Sequence, residues 1–410
     1  MENKKKSRGE YIKIHTDGRD TIAQLYDDNA FRKFLGEAVA RCHPDDEFDL
    51  ATGAKLAIDR LFASKESRGE FIGFRGLSTD PNHLRLVGGW AENITDPKIK
   101  EKIMFPDGVT SYESELDKVF PFNKICPVYD VYGNRLIKFP KCYIRWTDTA
   151  EGYIDGFDVA AEKISDDFFL PDCFIVNGKE IPAIYIGAYE ASENEETKAI
   201  ESKACKTVLT NISHDDFAKR FATTPLGYEP MSIDERTLYN FLVMLYLQAA
   251  FVQDYFTGCT RATCAVQTGT ASGRASLCTQ NNTTGACSLL RVENPFGNVC
   301  EHLYEIDFKK GDVYYRGANT GIKLPHDGYC KQWKHGVDKN TCSVAMPCAT
   351  SDKPASNADY FWSWGRDTVV LYVGGCRGSG ANAGLWYSSG YGGASDSGAS
   401  IGGRLVYRPL

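Results

Sequence analysis

The chain has 410 residues, 42 % of them apolar and 25 % charged, with a formal net charge of -7. This length exceeds one minimal domain and suggests two or three units with a sizeable core. The acidic balance, without any basic stripe, argues against nucleic-acid binding, and no stretch reaches the roughly 18 consecutive apolar residues needed to span a bilayer.

The N-terminal run MENKKKSRGEYIKIHTDGRD is basic but has no apolar stretch behind its lysines. No secretory signal is expected, and synthesis in a cytoplasm follows. Fourteen cysteines are scattered along the chain, from Cys42 to Cys376. Without a leader they are expected to be mostly buried free thiols rather than a disulfide framework. The spacings CTRATC and CSVAMPC are not the two-residue knuckles of tetrahedral thiolate sites, and no nearby histidine completes a set, so neither a metal nor a cofactor is expected.

In chain order, DDNAFRKFLGEAVARC begins with Asp27 and Asp28 and places Phe31, Phe34, Leu35 and Val39 at helical spacing, which predicts a helix. GAKLAIDRLF, with Leu56, Ile58, Leu61 and Phe62, predicts a second one. Polar, turn-rich sequence follows to about residue 120. Residues 1–120 therefore read as a smaller α-rich or mixed region for attachment or oligomerisation.

From residue 124 short alternating runs take over. CPVYDVYGNRLIKFP predicts a β-hairpin around Tyr132-Gly133-Asn134, and FFLPDCFIVNG and IPAIYIGAYEAS read as strands. MSIDERTLYNFLVMLYLQAAFVQDYF is the most helical stretch; Ser232 and Glu235 have capping-box spacing, and Leu238, Phe241, Leu242, Leu245 and Phe251 form a wide apolar stripe. Residues 257–300 read as mostly loop. The last fifty residues carry two strand-like runs, Thr368 to Val373 and Arg404 to Arg408, around a Gly/Ser-rich segment. Such composition alone suggests disorder. The recurrence of Leu385, Trp386, Tyr387, Tyr391 and Ile401 instead predicts a loop held between two core strands.

VGGCRGSGANAGLWY followed by IGGRLVYRP resembles the C-terminal variable region of proteins diversified by diversity-generating retroelements, which have a formylglycine-generating-enzyme type of C-type lectin fold. IPAIYIGAYEAS is similar to the opening strand of that fold. ENPFGNVCEHLYEIDF is similar to its Asn-Pro-Phe-Gly-Asn-Val signature, with Cys300 and His302 standing where two tryptophans are usual. The resemblance covers about residues 121–410; residues 1–120 resemble phage tail and prophage proteins only weakly. It implies an α+β C-type-lectin-like ligand-binding domain at the C-terminus, with a variable segment at about 374–403. The positions that match the diversified pattern are Cys376, Arg377, Gly378, Ser379, Ser389, Tyr391, Gly392, Asp396, Gly398 and Ser400. Each is a residue that an Asn codon reaches by changes at its adenines. Trp386 is not, and with Gly384, Ile401, Gly402 and Arg404 it matches the invariant frame.

The implied function is binding of a host-cell receptor or another macromolecular ligand by a phage tail protein, made in the host cytoplasm, residing in the virion beside other tail proteins and assembling as a homotrimer. A structural tail or baseplate role without diversification is an alternative. An oxidative enzyme of the formylglycine-generating type is a further one, although it needs a reactive cysteine pair or a metal site, and Cys376 has no partner close in sequence. No G-x-S-x-G elbow, HExxH motif or phosphate loop is present, and no catalytic residue is assigned. The C-terminal segment holds only Asp396 as a carboxylate between Thr368 and Leu410, too few hard oxygen ligands for a calcium site.

Overall fold

The computed structural model describes the strands within 10–16, 20–27 and 34–41, and residues 71–409 except 226, 272–274, 281–283, 354–357 and 364–369. The chain divides into two compact units, one of residues 1–71 with 88–90 and one of residues 72–87 with 91–410.

In the first unit Glu10–Thr16, Asp20–Asp27 and Phe34–Arg41 form an antiparallel meander. Of the helix expected over residues 27–42, the described part, Phe34–Arg41, is therefore corrected to a strand. Its apolar residues fit helical spacing, but Gly36 weakens a helix, and the strand Asp20–Asp27 offers a full ladder from Tyr26↔Phe34 to Asp20↔Arg41. Such pairing is invisible to a local period. The second expected helix, GAKLAIDRLF, lies outside the described residues.

The second unit is mostly β-sheet with few helices. Its centre is the helix Ile233–Leu247, every residue of which is buried. Ser232 starts it as foreseen: the Glu235 carboxylate accepts from the Ser232 N–H at 2.8 Å, closing the capping box. Arg408 then clamps that carboxylate, with Nε 2.7 Å from Oε1, so the last turn of chain locks the start of the helix. Phe241 meets Trp146 at 4.7 Å and Trp386 at 5.3 Å between ring centroids, and Tyr239 donates to the Leu289 carbonyl at 2.9 Å. Among the described residues no helix is long and apolar enough to cross a membrane.

The hairpin is present as Cys126–Tyr129 and Arg135–Pro140, its turn fastened by Asp130, which accepts from the N–H groups of Tyr132 and Asn134 at 2.9 and 2.7 Å. Arg135–Pro140 pairs with Ala183–Gly187, which in turn pairs with the C-terminal strand Leu405–Tyr407. FFLPDCFIVNG is less extended than expected. Pro171 opens a 3-10 turn, Asp172–Phe174, and only Ile175–Val176 follows as strand. Residues 257–300 hold more strand than their composition suggests. Leu277–Gln280 and Cys287–Leu289 extend a sheet that also contains Val109–Glu113 and Lys100–Met104, so residues 91–120 lie in the C-terminal unit.

A seven-stranded sheet carries the C-terminal segment, in the order Ala345–Ser351, Gly328–His335, Tyr360–Trp362, Ser388–Gly392, Val370–Val373, Cys300–His302, Ile401–Gly402. The segment is thus woven into the sheet.

Candidate functional site

The frame beneath the segment is built from the residues that carry the resemblance. Glu190, from the first of those stretches, accepts from Asn298 Nδ2 at 2.6 Å and from Asn294 Nδ2 and the Val299 N–H, both at 3.3 Å. Burial pushes its carboxyl up to about 8. Arg404 donates to Glu301 and to the carbonyls of Gly187 and Glu293 at 3.0 and 2.8 Å. Three stretches distant in sequence therefore meet in one buried polar network. His302, in one of the tryptophan positions, still fills an aromatic slot, 5.2 Å from Tyr372 and 5.5 Å from His214 between centroids. Burial pushes its pKa down to about 4, so it sits there neutral.

Within the segment, Gly374 and Gly375 follow the strand Val370–Val373 with φ of +84° and +72°. Only glycine adopts these readily, and they turn the chain out of the sheet toward Cys376. The chain returns at Trp386, whose N–H donates to buried Asp359 at 2.7 Å and whose indole N–H points at the Met244 sulfur at 3.2 Å. Trp386 is 4 % exposed and serves as scaffold, as expected. Gly384 is required because a Cβ there would collide with the Asp359 carboxylate.

Above this frame lies an open depression of about 560 Å³. Of the ten candidate positions, Ser389, Tyr391, Gly392, Asp396 and Ser400 line it. Tyr391 is 38 % exposed and Ser389 9 %. Gly392 is buried, and a Cβ on it would strike the Tyr372 ring. Cys376 is half-buried, does not line the depression, and packs against the cluster of Cys300, Tyr372 and Tyr387. Arg377, Gly378, Ser379 and Gly398 are not among the lining residues. The Arg377 guanidinium donates to the Ala399 carbonyl at 2.8 Å, tying two loops together, and the Gly398 carbonyl accepts from Asn211 and Ile401 N–H groups, both at 3.0 Å. Ile401, read as frame, is half-buried and lines the rim.

Sequence reasoning missed the aromatic neighbours of Tyr391. The Trp362 ring lies 5.8 Å from it, Tyr360 is 4.4 Å from Trp362, and Tyr329 is 5.0 Å from Tyr360. They are brought together because Tyr360–Trp362 runs parallel to Ser388–Gly392, with Trp362 opposite Ser389. The Tyr391 hydroxyl donates to Asp327 at 3.3 Å, and Asp327 also accepts from the Ser363 N–H at 2.6 Å. The dense aromatic run DYFWSW was the available signal. Cys376, without a partner close in sequence, packs in the fold against the cluster that contains Cys300.

No family model and no curated protein matches the sequence. Distant likenesses exist among solved structures. The Major Tropism Determinant U1 variant is 12 % identical, with 67 % of this chain and 63 % of that chain covered at a TM-score of 0.32. The M1 variant is 10 % identical over 99 % of this chain and 84 % of that one, also at 0.32. PvdO from Pseudomonas aeruginosa is 12 % identical over 69 % and 98 %, at 0.30. The chain thus spans under two thirds of the U1 variant, and the functional reading rests on the face itself.

Proposed function

We propose that this chain is a ligand-binding protein whose C-terminal segment presents a recognition face to a host-cell surface receptor, in the manner of a phage tail receptor-binding protein. The observation that carries the reading is the exposed Tyr391 ring against Trp362 at the mouth of an open depression, over a frame fixed by buried polar contacts. Aromatic side chains on a rigid support supply large contact area at low entropic cost, which is what an adaptable binding face needs. Around them Ser395, Ser397 and Ser400 line the open surface, while Gly392 packs beneath it against the Tyr372 ring.

In this reading Asp396 and Ser400 are exposed or half-exposed positions where side chains can change without refolding the sheet, which suits diversification. The first unit, residues 1–71 with 88–90, would serve attachment to other tail proteins and assembly of a homotrimer, so that several weak sites act together. The chain would act by binding and reside in the virion, with no role for catalysis, cofactor or nucleic acid. Labelled protein applied to a panel of bacterial cells, with Tyr391→Ala as the comparison, tests the reading. Retention by a subset of cells that is lost in the variant supports it, and absence of retention on every strain of the producing host counts against it.

A further inference from the structure

We infer that the seven-stranded sheet carries a site for a quaternary ammonium group of the choline type, formed by the aromatic row Tyr329, Tyr360, Trp362 and Tyr391 with the Asp327 carboxylate beside it. The inference rests on the proposed recognition face, whose ligand chemistry it names. Three of the four rings lie outside the segment at about 374–403.

The row follows from strand pairing. Side chains two residues apart on a strand share a face, so Tyr360 and Trp362 lie on one side of the sheet and the buried Phe361 on the other. Tyr329 stands opposite Tyr360 in antiparallel register, and Trp362 stands opposite Ser389, two residues before Tyr391. Three adjacent strands thereby set the four rings side by side, with successive centroid separations of 5.0, 4.4 and 5.8 Å. Tyr391 is exposed and the other three are half-buried. Trp362 and Tyr391 are inclined at 70°, a corner rather than a flat stack, in which one cation can meet two π-faces.

The charge beside the row is negative. The Asp327 carboxylate accepts from the Tyr391 hydroxyl at 3.3 Å through one oxygen and from the Ser363 N–H at 2.6 Å through the other. At the far end, Asp352 follows Ser351, which stands opposite Tyr329. Burial, with these two carboxylates, pushes the Tyr360 hydroxyl up, so the phenol stays neutral, and among the described residues no cation acts on it. The lysines nearest in sequence, Lys331 and Lys353, are exposed.

This combination selects among cations. Each Asp327 oxygen is already committed to one donor, so the carboxylate supplies charge more readily than the paired, directional acceptors that a guanidinium fork or two neighbouring sugar hydroxyls demand. A trimethylammonium group has no N–H to satisfy. It spreads its charge over methyl groups that pack on aromatic faces, and it gains further from a nearby anion. Changes at Tyr391 would alter affinity, while Tyr329, Tyr360 and Trp362 keep the preference for a cation.

The test titrates the full chain with choline and, at the same ionic strength, with its neutral isostere 3,3-dimethylbutan-1-ol, following the methyl protons of each probe by NMR. Choline should show an upfield ring-current shift with a dissociation constant of about 1 mM, and the isostere should bind about tenfold more weakly or not at all. Asp327→Asn, which keeps a hydrogen-bond acceptor but removes the charge, and Trp362→Leu should each weaken choline binding about tenfold. Equal binding of the two probes to the wild-type protein, or no binding of choline, overturns the inference whether or not either variant folds. So does choline binding that both folded variants leave unchanged, or binding of methyl glucoside in preference to choline, which would assign the row to a sugar. Retention on cells without choline binding overturns this inference and leaves the receptor reading standing; choline binding without retention on cells does the reverse.

Discussion

Arg404 Nη2 lies 2.5 Å from Glu301 Oε1, with the two side chains 1 % and 2 % exposed, and Arg236 Nη1 approaches the other oxygen of the same carboxylate at 3.3 Å. One buried anion thus holds two buried cations, and through them the C-terminal strand, the central helix and the strand Cys300–His302. Removing the anion leaves both guanidinium groups uncompensated. Glu301→Ala should therefore cost about 3–5 kcal/mol, read as a drop in the urea midpoint. A loss below about 1 kcal/mol would show that the network does not hold the frame.

Glu190 makes stability depend on pH in a direction opposite to an ordinary surface carboxylate. Burial raises its folded pKa to about 8, against about 4.3 in an unfolded chain. The folded state holds the proton more tightly, so this contribution is fully present below the unfolded value and is lost as pH rises through the folded one. Melting temperature should fall from about pH 5 to about pH 8, and Glu190→Gln should flatten the slope. Glu293 and Asp234, pushed up by burial to about 7 and about 8, leave part of it in the variant. Parallel pH profiles for the variant and the wild type would contradict the assignment.

What the sequence made legible is what local pattern encodes: the capped helix Ile233–Leu247, the hairpin at Asp130 to Asn134, the two C-terminal strands, and Trp386 as scaffold beneath an exposed Tyr391. What it hid depends on pairing between distant strands. Phe34–Arg41 is a strand because Asp20–Asp27 lies beside it, and Trp362 joins Tyr391 through a parallel register that no spacing shows. Cys300 was noticed as a missing tryptophan, and its packing with Cys376 needs the strand Cys300–His302 and the turn after Val373 brought together. Arg377, read as displayed, is half-buried and donates from Nη1 to the Ala399 carbonyl, a contact that no local spacing shows.

The ten candidate positions should separate by tolerance. Gly392→Asn must displace the Tyr372 ring and should cost about 1–3 kcal/mol through overpacking. Asp396→Asn, at an exposed position where the new amide oxygen can still accept from the Gly393 N–H, should change stability by no more than about 0.5 kcal/mol. Calorimetric melts of the two variants check this. Equal effects would mean that the segment has no division between packed and open positions.

The central claim is that a binding face rests on an independent frame, and paired melting and cell-binding measurements on Tyr391→Ala and Trp386→Ala test it most directly. Tyr391→Ala should melt like the wild type, within about 0.5 kcal/mol, and lose about 2 kcal/mol or more of binding, roughly thirtyfold in affinity. Trp386→Ala removes a buried ring packed between Phe241 and Trp333 and should cost about 3–5 kcal/mol of stability. If Tyr391→Ala instead unfolds as Trp386→Ala does, or melts and binds like the wild type, Tyr391 belongs to the core or to inert surface, and the recognition face is not where the account places it.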